Sequence, residues 1–291
     1  MGLDNAATPF GIKAMESLQA INTDKTPASN AQLRFLCLHA SGLTLIPTII
    51  IADRVALRSA QPTSIFIPCM IATFVATIAA MAMVSVRQRI RIFQPVILFW
   101  VLGISTVIAA LIYYIKSLDV QGVQLFSTTL SNGIILLIFL LIVLGGMYKR
   151  INIFDAFIEG AKGGFETAVR IIPYLVGLLV AICLLRNSGA FEFIMDGIKA
   201  IFVMLNGDTR VVDSLPTALI KPLSGSGARA VMIDTLNAHG PDSFAGNLAS
   251  VFRGSSDTTF YIIAVYFGAV GINNSRYAVT TMLLADLAGI L

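Results

Sequence analysis

Apolar residues in this chain fall into long blocks, separated by shorter stretches rich in polar and small residues. Blocks at about Leu33–Ala52, Ser64–Val86, Phe93–Ile115, Thr129–Met147, Ala168–Leu185 and Thr258–Ile272 read as helices apolar enough to enter a bilayer, whose crossing takes about 20 residues. A last run, Tyr277–Leu291, is shorter than that, and the chain is expected to stop in mid-helix. Three further segments are amphipathic. In residues 1–32, Asp4 and Asn5 are suited to cap a helix with Pro9 in its first turn, and Ile12, Met15 and Leu18 recur at helical spacing. Residues 150–166 place Ile153, Phe154, Phe157 and Ile158 on one face, with Asp155, Glu159 and Lys162 off it, which predicts a separate interfacial helix before the block interrupted by Pro173. The segment Phe191–Leu205 repeats that pattern.

Polar positions inside the apolar blocks gather in two places. His39, Ser41, Gly42 and Pro47 interrupt the first block and predict a kinked or broken helix. The second place is Lys221–Tyr261, which carries Lys221, Arg229, Asp234, Arg253 and Asp257. It also carries two small-polar clusters, Ser224 to Gly227 and Gly254 to Thr259. An ionisable group at membrane depth costs about 2.5–3.5 kcal/mol, so such groups face a cavity or a partner. Short apolar runs broken by Gly and Ser have the pattern of discontinuous helices, whose free N–H groups receive an anion or a dipole.

Composition places these blocks in a membrane. The chain is 56% hydrophobic and 12% charged, against about 25% charged in soluble domains. The net charge of +4 is explained by basic loop ends and does not point to nucleic acid. Arg87, Arg89 and Arg91 lie two crossings before Lys149 and Arg150, so both clusters are expected on the cytoplasmic side. The 53–63 loop is then outside, where Arg54 and Arg58 against Asp53 break the positive-inside pattern. Cys37, Cys69 and Cys183 have neither metal-ligand nor disulfide spacing. No GxSxG, HExxH or GxxxxGK[ST] motif is present, and the distant His39 and His239 do not make a triad with Ser255 or Ser256, so an enzyme is not expected and no cofactor is implied.

The two polar places echo each other. Residues 3–8 can be laid on 223–228, each followed by a short helix and a polar connector, and His39 to Gly42 then falls opposite Arg253 to Ser256. Transporters built from two repeats place their site between broken helices in corresponding positions.

Two sets of motifs resemble known families. MGLDNAATPFGIKAM and ASNAQLRFLCLHASGLTLIPT are similar to the spore maturation protein A pattern; ALIKPLSGSGA, GPDSFAGNLASV, GSSDTTFY and AVYFGAVGI resemble spore maturation protein B. Both belong to the gate, or nucleoside recognition, group, which also resembles parts of concentrative nucleoside transporters and of the ferrous iron transporter B. The resemblance implies an all-α polytopic protein of the inner or plasma membrane. It would consist of an A-like gate half over 1–92, a linking transmembrane helix and loop over 93–128 and a B-like gate half over 129–291, with broken, re-entrant helix hairpins. Relative to the family pattern, segments before the first motif and the end of the last helix are expected to be missing.

The expected function is secondary transport of a small polar or anionic solute, connected with spore maturation and core dehydration. The expected site is Asp4, Asn5, Ser41 and Thr44 from one half, and Lys221, Ser224, Ser226, Arg229, Ser255, Ser256, Asp257 and Thr258 from the other. Asp257, with Asp234, would bind a coupling sodium ion or proton; Lys221 and Arg229 would neutralise carboxylates or pair with an anion. The alternative is a non-transporting scaffold in a larger membrane complex, in which the same charges form ion pairs such as Arg253 with Asp257. Expected partners are the bilayer, an unidentified solute and a second copy of the chain.

Overall fold

The computed structural model describes residues 8–44, 46–90, 95–204 and 209–291, and these are helical throughout apart from turns and a single bridge between Pro27 and Asn274. The first group of helices is α1 (Thr8–Ala20), α2 (Asn30–Ser41), α3 (Thr48–Ala56) and α4 (Phe66–Arg87). Ser29 and Gln32 start α2 as a reciprocal capping box, with Gln32 N–H donating to Ser29 Oγ at 3.3 Å and Ser29 N–H to Gln32 Oε1 at 2.8 Å. Gly42 ends it at φ +49°, a left-handed conformation that glycine adopts without the Cβ penalty. Pro47 then precedes α3, so the first apolar block is broken where its small and imino residues fall.

A middle group follows: α5 (Pro95–Lys116), α6 (Val120–Tyr148), α7 (Ile153–Asn187), α8 (Ala190–Met204) and the single turn α9 (Thr209–Val212). Two boundaries differ from expectation. The fourth block begins not at Thr129 but at Val120, because Asp119 caps it by accepting from Gly122 N–H at 2.9 Å. The separate interfacial helix and the block after it are one helix of 35 residues, about 52 Å long, with Pro173 inside. Helix hydrogen bonds are local, so a change from charged to apolar composition near Glu166 does not end the helix, and proline removes one bond from a long ladder.

The last group is α10 (Leu215–Ile220), α11 (Gly225–His239), α12 (Phe244–Gly254), α13 (Thr259–Val270) and α14 (Ala278–Ile290). Ser224 caps α11 through Gly227 N–H at 3.0 Å, and Ser243 caps α12 through Gly246 N–H at 3.0 Å.

First and last groups interlock. Helices α4 and α14 form the most extensive contact between helices and run antiparallel. The Arg87 guanidinium at the end of α4 lies 6.0 Å from the Tyr277 ring just before α14, whereas Gly289 near the end of α14 faces Ala72 and Ala76 in α4. Around this pair α2 packs on α14 and α12 on α4, while α2 meets α13 and α12 meets α3. In these four contacts corresponding elements pair alike, whereas α2 also packs extensively on α4 and α1 on α13. The two larger cores mix the groups: Met15, Leu36 and Cys37 pack with Val265, Tyr266 and Met282, and Ile46, Phe66 and Cys69 pack with Met232, Leu236 and Ala249. Burying a large apolar side chain contributes about 1.5–3 kcal/mol, so neither group retains its core alone.

The helices Phe66–Arg87 and Leu98–Lys116 are long and apolar enough to cross a bilayer. In α5 to α7 large apolar residues such as Trp100, Leu136, Phe139 and Val176 are exposed. This is the surface of a membrane protein.

Candidate functional site

Two helix breaks from the two groups meet at the centre of the interlock. The first lies between the end of α2 and the start of α3, at Gly42 and Pro47; the second lies between α12 and α13, residues 255–258. The Asp257 backbone N–H donates to the Ala40 carbonyl at 2.8 Å. A Cβ on Gly42 would lie 3.6 Å from that same nitrogen. Both α2 and α12 therefore end against one another, and an unpaired carbonyl at the end of α2 is satisfied from across the repeat.

Three more elements converge there. The Lys221–Leu223 connection from α10 to α11 reaches α13, where Phe260 N–H donates to the Pro222 carbonyl at 2.9 Å. At the start of α1, Thr8 Oγ1 lies 3.4 Å from Tyr261 Oη. From α14, Asp286 Oδ2 accepts from Thr259 Oγ1 at 2.6 Å. Glycines permit the approach: a Cβ on Gly254 would come within 2.7 Å of Cys69 Sγ, and one on Gly289 within 3.1 Å of the Ser255 carbonyl.

The expected site residues are distributed unevenly around this point. Ser41 and Ser255 are fully buried, and each donates to its own helix, to the Leu38 carbonyl at 2.9 Å and the Phe252 carbonyl at 3.0 Å. Ser256 donates to the Asp257 carbonyl at 3.2 Å, and Thr258 is buried. Asp257 is half-buried and accepts from Thr258 N–H at 2.7 Å. Thr44 is held by Thr73, whose Oγ1 accepts from its N–H at 3.2 Å. Lys221 is buried, and Ser224 is buried as the α11 cap, with the exposed Ser226 3.3 Å away. Asp234 is exposed on α11, away from the breaks. Asp4 and Asn5 lie outside the described residues.

Arg229 is not at the centre. It forms a two-pronged pair with Asp53 at the end of α3, through Nε to Oδ2 at 2.8 Å and Nη2 to Oδ1. Beside it, the fully buried Arg54 reaches Asp242 in the α11–α12 turn at 3.1 Å. Arg54 also donates to the Pro241 and Gln61 carbonyls at 2.7 and 3.1 Å, and to Ser250, Ser59 and Ser64. Arg54, one of the two arginines that broke the positive-inside pattern, is thus internally neutralised. Partial burial alone would raise the Asp242 carboxyl, but Ser59 Oγ–H, the Ala60 and Gln61 N–H groups and the Arg54 charge together hold it below its ordinary value.

Two further groups join the site without having been singled out as site residues. Asp286 is the sole charged residue of the last apolar run, which is itself the signal of an intramembrane ionisable group. Tyr266 shares a hydrogen bond of 2.9 Å with His39 Nε2, while His39 stacks on Phe35. Partnered in this way, His39 joins α2 to α13.

Known proteins resemble parts of the chain. A family model described as nucleoside recognition, the gate domain, matches residues 168–273. Spore maturation protein B of Bacillus subtilis (strain 168) is 48% identical over 161 residues, which cover 55% of this chain and 89% of that protein. The chain belongs to the spore maturation protein B family. Spore maturation protein A of the same organism is 47% identical over 79 residues, covering 27% of this chain and 40% of that protein. A B-like and an A-like segment are therefore fused in one polypeptide, and the chain spans less than half the length of the A relative. No solved structure matches it.

Proposed function

We propose that this membrane protein is a secondary transporter of a small polar solute, with its site where the break after α2 meets the 255–258 break. The observation that carries the reading is the Asp257 N–H to Ala40 carbonyl bond, which joins two discontinuous helices of opposite repeats. Asp257 is half-buried, Asp286 is buried on Thr259 beside it and Lys221 is buried next to Pro222, which bonds Phe260; charges buried in apolar helices belong to substrate and ion pathways more often than to packing. The pairing of Arg229 with Asp53 supports a neutral polar solute over an anionic one. The A-like half is residues 1–92, the linking helix and loop 93–128, and the B-like half 129–291. In this reading the chain crosses the plasma membrane several times, with Arg87 and Lys149 on the cytoplasmic side, and serves spore maturation as its relatives' names state.

The experiment is thermal stability against a panel of nucleosides, dicarboxylates, phosphate, sodium and divalent metals, with Asp257→Asn beside the parent. A ligand at 100 times its Kd stabilises by about 2.7 kcal/mol. Stabilisation by one class that vanishes in Asp257→Asn is the expected result. One observation favours the second reading, a scaffold: the Ser41 and Ser255 hydroxyls are sealed against their own helices. No response to any solute, with Asp257→Asn merely less stable, would establish that reading instead.

A further inference from the structure

The arginines at the two ends of α4 are balanced differently. Where α4 begins, Arg54 and Arg229 each meet a carboxylate, on Asp242 and Asp53. Where it ends, four exposed arginines gather from three elements: Arg34 on α2, Arg87 and Arg89 at the end of α4, and Arg276 just before α14. Asn30 and Tyr277 draw them together. The Asn30 carbonyl accepts from Arg34 Nε at 3.3 Å and from Gln88 Nε2, between the two α4 arginines, at 2.9 Å; its Oδ1 accepts from Arg276 Nη1 at 2.8 Å. The Arg87 and Arg276 guanidinium groups lie 6.0 and 5.2 Å from the centre of the Tyr277 ring. Among the described residues none of the four pairs with a carboxylate, and the hydrogen bonds that Arg34 and Arg276 make go to neutral acceptors. The adjoining residues 8–29 supply no counter-charge, because Lys13 and Lys25 cancel Glu16 and Asp24. A cluster of one sign without internal partners attracts its counter-ion from outside the chain.

We propose that this end of the bundle binds the phosphate of an anionic phospholipid. The guanidinium fork matches phosphate oxygens, and Arg34 has only its Nε engaged by the protein. The surface beside the charges selects a lipid over a free anion. Leu38 is exposed one turn after Arg34 on the same face of α2, Val86 is 70% exposed beside Arg87, and Val75 and Ile78 are exposed farther back along α4. A phospholipid covers these side chains with its acyl chains while its phosphate meets the arginines; inorganic phosphate would meet the arginines alone. Tyr277, beside Arg87 and Arg276, is of the residue type that collects at headgroup level. The proposal goes beyond transport and needs only a membrane protein, so the outcome of the solute panel does not bear on it.

The test is native mass spectrometry of the whole chain released from detergent, titrated with phosphatidylglycerol and with phosphatidylcholine of the same acyl chains. The parent should hold phosphatidylglycerol the more tightly. Arg34→Gln, Arg87→Gln and Arg89→Gln should each weaken that binding about fivefold. Phosphatidylcholine binding should stay unchanged in all three, which reports that they are folded. Arg58 is the matched control: it is exposed and left-handed like Arg89, at φ +58° against +54°, but lies in the loop before α4, at the end that carries Asp53 and Asp242. Arg58→Gln should change neither affinity. Equal affinity of the parent for the two lipids, or a loss in Arg58→Gln as large as in Arg89→Gln, would overturn the proposal. Inorganic phosphate that displaced phosphatidylglycerol at similar concentration would overturn the lipid in favour of a free anion.

Discussion

The two ends of the α4–α14 pair solve the same topological problem with different chemistry. At each end, the turn of a helix hairpin from one repeat rests on the loop between the last two helices of the other. Where α4 begins, the α11–α12 turn meets the 57–65 loop, and the contact is ionic: Arg54 with Asp242, and Asp53 with Arg229 next to it. Where α4 ends, the α1–α2 turn meets the 271–277 loop, and the contact is largely backbone. Ala28 N–H donates to the Asn274 carbonyl at 3.0 Å, and Pro27 bridges Asn274. Arg276 there donates to the neutral Ala28 carbonyl and Asn30 Oδ1 at 3.0 and 2.8 Å, with Gln88 from α4 donating to the Asn30 carbonyl at 2.9 Å. A fixed interlock therefore does not dictate its fastening. The ionic end is the one exposed to pH and to loss of a partner.

The largest expected effect comes from removing the buried cation. Arg54→Ala leaves the Pro241 and Gln61 carbonyls and Ser250 without their donor, and Asp242 without its counter-charge. Breaking such a pair costs about 3–5 kcal/mol. Chemical denaturation in detergent, followed by helix content, should show it; a loss no larger than that of the matching variant at the other end would remove the asymmetry.

Next comes the packing between the ends. Gly254→Ala places a methyl group 2.7 Å from Cys69 Sγ and 3.0 Å from Ile50 Cδ1, both from the other repeat. Overpacking of this kind costs about 1–3 kcal/mol. Cys69→Ala in the same chain should restore most of the loss, since it removes the sulfur that is struck. Failure of that rescue in the same denaturation assay would mean that the break is not packed on α4 as described.

How much of this was legible beforehand depends on the range of the interaction that decides it. The break at Gly42 and Pro47 follows from backbone stereochemistry within a few residues, whereas Ser224, read as a site residue, is the cap of α11. The pairing of His39–Gly42 with Arg253–Ser256 was legible only as an echo between repeats, yet Asp257 and Ala40 do meet. Arg229 could not be placed, because its partner Asp53 is 176 residues away and no local pattern separates it from Lys221. The single helix through Pro173 was missed because composition, which changes near Glu166, carries no information about hydrogen bonds that continue past it. Asp286 was legible as a lone charge, and the regularity of the run around it hid it.

Acid should separate the two ends by a smaller amount. The Asp242 carboxyl is held below its ordinary value in the folded protein, so it binds fewer protons there than when unfolded. Its contribution is complete above the ordinary carboxylate range and is lost as pH falls through the folded value. The side chain is 37% exposed, which screens the interaction and limits it to about 1 kcal/mol. Melting curves taken downward from pH 6 should fall less steeply for Asp242→Asn than for the parent. Parallel curves would mean that other carboxylates carry the acid sensitivity.

The smallest effect belongs to the backbone end, and its sign depends on the replacement. Arg276 is exposed, donates only to neutral acceptors and sits at φ +51°, so its hydrogen bonds are opposed by its own backbone conformation. Arg276→Ala keeps the left-handed strain and loses the bonds, a cost of about 1 kcal/mol. Arg276→Gly loses the same bonds but relieves the strain, and should lie within about 0.5 kcal/mol of the parent. Neither value should change between pH 6 and the acid range, because no carboxylate takes part. A fastening of backbone groups is thus indifferent to the conditions that loosen the ionic one. If Arg276→Gly proved as damaging as Arg54→Ala, the guanidinium rather than the backbone bridge would be holding that end, and the two fastenings would be alike.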